Sequence, residues 1–224
     1  MNYVFDFGWV ITYAGPLASG LAVTALLSLA GIVGGAALGL ACAWILTWGP
    51  KFLRPPVVAF VEFIRNTPFL IQLFFIFFGL PAVGIMIPSV AAAFITIVLA
   101  LGAYVAEIVR AGIEATPRQQ VEAGRSLAMS RWEVFQYVVL APALSRVWPA
   151  LTSQFVIVML GTAVVSQIAV EDLTFVSTFI QSRNFRSFET YAVSLVLYLL
   201  LAVVMRIAFD QLGKKLFAWR SSHG

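Results

Sequence analysis

The sequence is poor in the residues on which soluble enzymes depend. Charged residues make up 11% of its 224, against roughly a quarter in a soluble domain, so the chain lacks the polar coat that water requires. It has one cysteine, Cys42, set in an apolar run. No intrachain disulfide is possible, and Cys42 reads as a small buried residue. The single histidine, His223, is the penultimate residue, which argues against a His-based acid–base pair and a His-rich metal site. Neither a Gly-rich phosphate loop of the Walker type nor a His-Glu-x-x-His pattern occurs, so P-loop hydrolysis of ATP by this chain is excluded. Residues 1–13 carry Asp6 but no Lys or Arg, unlike the basic start of a secretory signal, and read as a mature, uncleaved end. The excess of basic residues shows no patch with interleaved aromatics, so no nucleic-acid partner is expected.

What the chain has is hydrophobicity: 61% of residues, with a mean hydropathy of +0.96. A helix needs about 20 mostly apolar residues to cross the hydrocarbon core. Five stretches qualify, over residues 17–47, 57–80, 88–109, 149–170 and 190–210. The first carries Gly31, Gly34, Gly35 and Gly39, a small-residue face that lets helices approach closely. Of the fourteen basic residues, eleven follow spans one, three and five. Arg183 and Arg186 lie on the other side, and Arg65 lies inside span two. The positive-inside rule then predicts an outside N-terminus and a cytoplasmic C-terminus. It also makes residues 110–147 a long cytoplasmic segment, where function is expected.

Thr116-Pro117-Arg118-Gln119 has the form of a helix start, predicting a helix from Pro117 to Met129. Ser130-Arg131-Trp132-Glu133 repeats the capping pattern and opens a second helix toward Leu140, ended by Pro142. On the first helix, Ala123, Gly124 and Ala128 make a low surface beside Glu122 and Arg125. Such a surface fits either a groove of another protein or the lipid headgroups.

Polar residues inside spans require partners or water. Glu62 and Arg65 are three apart and are expected to pair. Asn66, Thr67 and Pro68 follow, and a proline here frees the carbonyl of Ile64. These residues suggest a watery pathway or gate; the competing reading has Arg65 snorkelling to the surface. Glu107, Arg110 and Glu114 form an ion-pair ladder at a helix end. Gln154, Thr162, Ser166 and Gln167, with Glu171 and Asp172 beyond them, supply either interhelical hydrogen bonds or ligands for a zwitterion.

Two motifs carry a resemblance. Glu122-Ala123-Gly124, then Leu127-Ala128-Met129-Ser130 and Val138-Val139-Leu140, resemble the EAA loop of ABC-importer permeases. Glu62 to Leu73, including Arg65-Asn66-Thr67-Pro68 and Gln72, resembles the arginine–threonine–proline segment of polar-amino-acid permeases. The resemblance departs from the family pattern at Gly124, Ala128, Ala141 and Leu160-Gly161. It implies an all-α polytopic membrane protein of the type I importer permease fold. A single transmembrane domain would cover residues 1–224, with a coupling segment over about 112–147.

It further implies that Glu122, Ala123, Gly124, Arg125, Leu127, Ala128, Met129 and Ser130 dock on an ATPase. Glu62, Arg65, Asn66, Thr67, Pro68, Gln72, Gln154, Thr162, Gln167 and Glu171 are the candidates for the substrate path. The expected partners are two ABC ATPase subunits, a second permease, a periplasmic amino-acid-binding protein and membrane lipid. ATP and Mg²⁺ would sit on the ATPases, no cofactor on this chain, and the location would be the bacterial inner membrane. Rival readings are a membrane-embedded enzyme using Glu62 and Arg65, or a non-transporting anchor.

Overall fold

The structure, a computed structural model, describes residues 4–218; His223 and Arg220 lie outside the described residues. The chain forms α1 (Trp9–Thr12), α2 (Ala14–Thr47), α3 (Arg54–Arg65), α4 (Phe69–Ala82), α5 (Ser89–Glu114) and α6 (Arg118–Ser126). Then come α7 (Arg131–Glu133), α8 (Ala141–Gly161), α9 (Leu173–Asn184) and α10 (Ser187–Leu216). A π-helical stretch, Val134–Leu140, joins α7 to α8, and Thr162–Ile168 continues α8 as a 3₁₀ helix. Among the described residues there is no strand.

Four unbroken helical segments are long and apolar enough to cross a membrane: Ala14–Thr47, Ser89–Glu114, Arg131–Ile168 and Ser187–Leu216. The fifth expected span is a bent pair, Lys51–Arg65 and Phe69–Ala82, broken by 109°. Pro68 stands in the break with an extended backbone (φ −64°, ψ 138°), so it belongs to neither helix. Its carbonyl accepts from the amides of Ile71 and Gln72 and starts α4.

Pro142 does not end its helix, contrary to expectation. The preceding π-helical turn shifts the hydrogen-bond ladder, and the helix continues through Pro142 and Pro149 to Gly161. Such bulges absorb a residue that lacks the usual donor. The expected pair of short helices is therefore one short helix, α6, packed against the start of a long one.

Contacts divide the chain into two compact units. The first comprises Met1–Val33, Pro68–Ile97 and Val156–Met205; the second comprises Gly34–Thr67, Val98–Phe155 and Arg206–Gly224. In the first, Leu27, Leu73, Ala92, Ile97, Val165 and Ile168 are buried together. Beside α9, Asp172 is buried and caps the helix, accepting from the Phe175 amide at 2.8 Å and from the Tyr198 hydroxyl at 3.2 Å. Gly31 faces Ile97 with no room for a β-carbon.

In the second unit a β-carbon on Gly35 would stand 2.7 Å from that of Leu101, and one on Gly39 2.5 Å from that of Val105. The glycine stripe therefore serves close packing of α2 on α5. Partner numbers rise together along both helices, so α2 and α5 run in the same direction. Cys42 is buried here with Val61 and Ala106.

Candidate coupling surface and translocation residues

Local chemistry sets the shape of the hairpin in the second unit. The cap expected at Thr116 moves one residue on: Pro117 takes the N-cap position of α6, without a side-chain bond. A residue before proline is held extended, which keeps Thr116 outside the helix; its hydroxyl is buried without a hydrogen-bond partner. α6 ends three residues before the expected Met129. The Ala128 amide bonds to the Arg125 carbonyl (3.0 Å), and the Met129 amide to the Gly124 carbonyl (3.2 Å). This Schellman arrangement requires a left-handed residue, usually glycine, and Ala128 fills it at φ +58°.

Ser130 then caps the next helix as expected. Its hydroxyl accepts from the Glu133 amide at 3.3 Å, and the Glu133 carboxylate accepts from the Ser130 amide at 2.7 Å. The two caps, in adjacent turns, fix the corner between α6 and α7.

This corner sorts the candidate coupling residues into two sets. Glu122, Ala123, Arg125, Leu127, Ala128 and Ser130 are exposed, with Leu127 at 78%. Gly124 is buried instead: a β-carbon there would meet Val134 and Val138 at 3.3 Å. Its smallness lets α6 pack on the long helix, rather than lowering the outer surface. Met129 is half-buried, with its sulfur near Gly124.

The charges of α3 and α5 differ from the sequence expectation. Glu62 does not pair with Arg65; its carboxylate accepts from the Asn66 side-chain amide at 3.1 Å. Arg65, at the last turn of α3, stands 4.0 Å from Glu107 and 5.9 Å from the Tyr104 ring centre. The reason is that α3 ends at Arg65, where the open carbonyls draw the nearby polar groups. The Asn66 amide donates to the Glu62 carbonyl (2.8 Å), and the Thr67 hydroxyl donates to those of Phe63 (2.9 Å) and Ile64 (3.4 Å). Asn66 and Thr67 thus satisfy the carbonyls that the break leaves open.

The ladder on α5 is present: Arg110 binds Glu107 through two nitrogens and Glu114 through a third at 2.7 Å. Glu62, Glu107, Arg110 and Glu114, with Arg54, line a cavity of about 250 Å³. Arg54 and Tyr104 belong to this cluster but were not singled out by the sequence: Tyr104 lies on another helix, α5, and Arg54 stands two turns before Glu62 at the start of α3. Gln154, also in this unit, is half-buried in α8.

In the first unit Pro68 is exposed and Gln72 is buried at the start of α4. Thr162 is buried, its hydroxyl donating to the Met159 carbonyl at 2.6 Å. Gln167 and Glu171 are exposed, whereas neighbouring Asp172 is fully buried in its cap. Asp172 is therefore a structural acceptor here, and Glu171 is the one of the two acids open to solvent.

Residues 31–218 match the family of binding-protein-dependent transport system inner membrane components. The chain belongs to this family. The permease is 34% identical over 202 residues to the glutamine transport system permease protein GlnP of Escherichia coli K12, covering 89% of this chain and 92% of that one. It is 30% identical over 193 residues to the probable glutamine ABC transporter permease protein GlnM of Bacillus subtilis, with 86% and 89% covered. A crystal structure of an amino acid ABC transporter with histidines superposes on the permease with a TM-score of 0.85. The identity is 32%, and 95% of this chain and 100% of that chain are covered. The inward-facing MetNI methionine ABC transporter shares the fold, with a TM-score of 0.71 at 20% identity.

Proposed function

We propose that this permease carries a polar amino acid across the bacterial inner membrane, driven by two ATPase subunits and loaded by a periplasmic binding protein. The observation that carries the reading is the corner at Ala128–Ser130. Paired caps hold α6 against the long helix while Glu122, Ala123 and Leu127 stay exposed. A short, rigidly braced helix with an uncovered outer face suits the transmission of a push from a partner's groove.

The relatives named for glutamine and other amino acids support a polar, zwitterionic substrate. ATP and Mg²⁺ would bind on the ATPases; this chain supplies the path, in company with an identical or homologous permease. The charge asymmetry supports a cytoplasmic hairpin. Within the path, Glu62, Arg65 and the broken helix at Asn66-Thr67-Pro68 form part of the inner gate. The Glu107–Arg110–Glu114 ladder anchors the end of α5 behind them.

Reconstitution in proteoliposomes tests this. The complete complex, with loaded binding protein outside and ATP inside, accumulates the amino acid, and its ATP hydrolysis rises with the loaded protein. Accumulation at the same rate by the permease without ATPase subunits refutes the assignment.

A further inference from the structure

Two tryptophans four residues apart flank the end of α2, Trp44 in its last turn and Trp48 just beyond it, and a third, Trp132, stands in α7. With Gly49, Pro50, Arg131 and Phe135 they line a cavity of about 380 Å³ within the second unit. Trp48 and Trp132 both pack on Phe135, with ring centres 5.4 and 5.6 Å away. The Arg131 guanidinium lies 5.8 Å from the Trp48 ring centre and donates one hydrogen bond, at 2.9 Å, to the Trp48 carbonyl.

Arg131, like Arg54 and unlike three other arginines, stands outside the ion pairs of the described residues. Arg65, Arg110 and Arg186 each have a carboxylate within 4.0 Å. Among the described residues Arg131 has none, and nearby Glu133 is engaged by the Ser130 amide. A guanidinium has five N–H donors in a planar fork, so most of its donors and its whole charge remain for an anion. Lys51, exposed and next to Pro50 in the chain, adds to the local positive charge.

The recess thus combines an uncompensated cation with an aromatic wall. It also sits where an apolar span ends, the level at which tryptophans meet lipid headgroups. A small soluble anion would use the cation but leave the three indoles without a role. A ligand with a phosphate and an adjoining apolar body uses both.

We propose that this recess binds the headgroup of an anionic phospholipid. Arg131 takes the phosphate through two parallel N–H···O bonds, and the tryptophans cover the glycerol and the first acyl carbons. The recess shares no lining residue with the exposed face of α6 or with the charged cavity of α3 and α5.

The test uses the full-length permease, purified in mild detergent and offered equal amounts of phosphatidylglycerol and phosphatidylcholine, with retained lipid read by native mass spectrometry. The tightest-held lipid should be phosphatidylglycerol, by about tenfold: both lipids offer a phosphate, but the choline ammonium of phosphatidylcholine cancels its net charge and is repelled by the Arg131 cation. Arg131→Gln should bring the two lipids near parity, Arg131→Lys should keep part of the preference, and Lys214→Gln should leave it unchanged. Trp132→Ala, at a side chain 55% exposed, should lower retention of phosphatidylglycerol without unfolding the protein. That variant decides the matter if Arg131→Gln does not fold. Equal retention of both lipids by the wild type, or a preference that survives Arg131→Gln, overturns the proposal. So does unchanged retention in Trp132→Ala. Complete displacement of the lipid by millimolar inorganic phosphate overturns it too, since the ligand would then be a free anion.

Discussion

Arg65 stands 4.0 Å from Glu107 of α5 and leaves Glu62, three residues earlier in its own helix, to the Asn66 amide. The side chains of this pair are 36% and 27% exposed, so solvent screens it and its worth is about 0.2–1 kcal/mol. A double-mutant cycle on thermal unfolding in detergent should give that coupling for Arg65 with Glu107, and almost none for Arg65 with Glu62. Coupling concentrated on Glu62 would show that the pairing described here is wrong.

Close packing of α2 on α5 predicts a sharp contrast between two glycines. Gly39→Ala puts a β-carbon 2.5 Å from that of Val105 and 2.8 Å from the Gly102 carbonyl, costing about 1–3 kcal/mol. Gly161→Ala meets nothing within 4 Å, and should gain about 0.5–1 kcal/mol by restricting the unfolded chain. Unfolding midpoints of the two variants should move in opposite directions.

The left-handed Ala128 makes a third prediction. A β-carbon in that conformation costs about 1–2 kcal/mol, part of which glycine returns through its freer unfolded state. Ala128→Gly should therefore stabilise the corner by several tenths to about 1 kcal/mol. Ala128→Val, β-branched, should destabilise it. Slower hydrogen exchange at the Met129 amide in the glycine variant is the direct readout.

Burial pushes the Asp172 carboxyl up to about 6, against which its hydrogen bonds from Phe175 and Tyr198 work. The folded state therefore holds this proton more tightly than the unfolded one. Stability from this group is complete below about pH 4 and is lost as pH rises through about 6, by about 3 kcal/mol. Asp172→Asn keeps a helix cap and should remove that slope. Identical pH profiles for wild type and variant between pH 4 and 7 would contradict it.

What was legible in the sequence followed the range of each signal. The capping box at Ser130 and Glu133 involves neighbours only, and it is found as written. The apolar spans are also local, and all five segments are helical, though Pro68 divides the second. Pro142 misled because a π-helical turn, which no spacing rule announces, carries the helix through it. Glu62 and Arg65 share a face at three residues' spacing, yet a partner on another helix and the open carbonyls at the break took precedence. Gly124 reads as surface when α6 is taken alone; its buried position depends on Val134 and Val138, which only the fold brings near.

The most direct test of the central claim is ATP-driven uptake by the complete complex carrying Ala123→Trp. Ala123 is exposed on α6 while its neighbour Gly124 is packed inward, so the added ring disturbs the outer face and leaves the fold intact. The account predicts normal expression and an unchanged unfolding midpoint, with uptake lost and binding-protein-stimulated ATP hydrolysis uncoupled. Wild-type uptake by this variant would contradict the claim that the permease takes its drive through this helix.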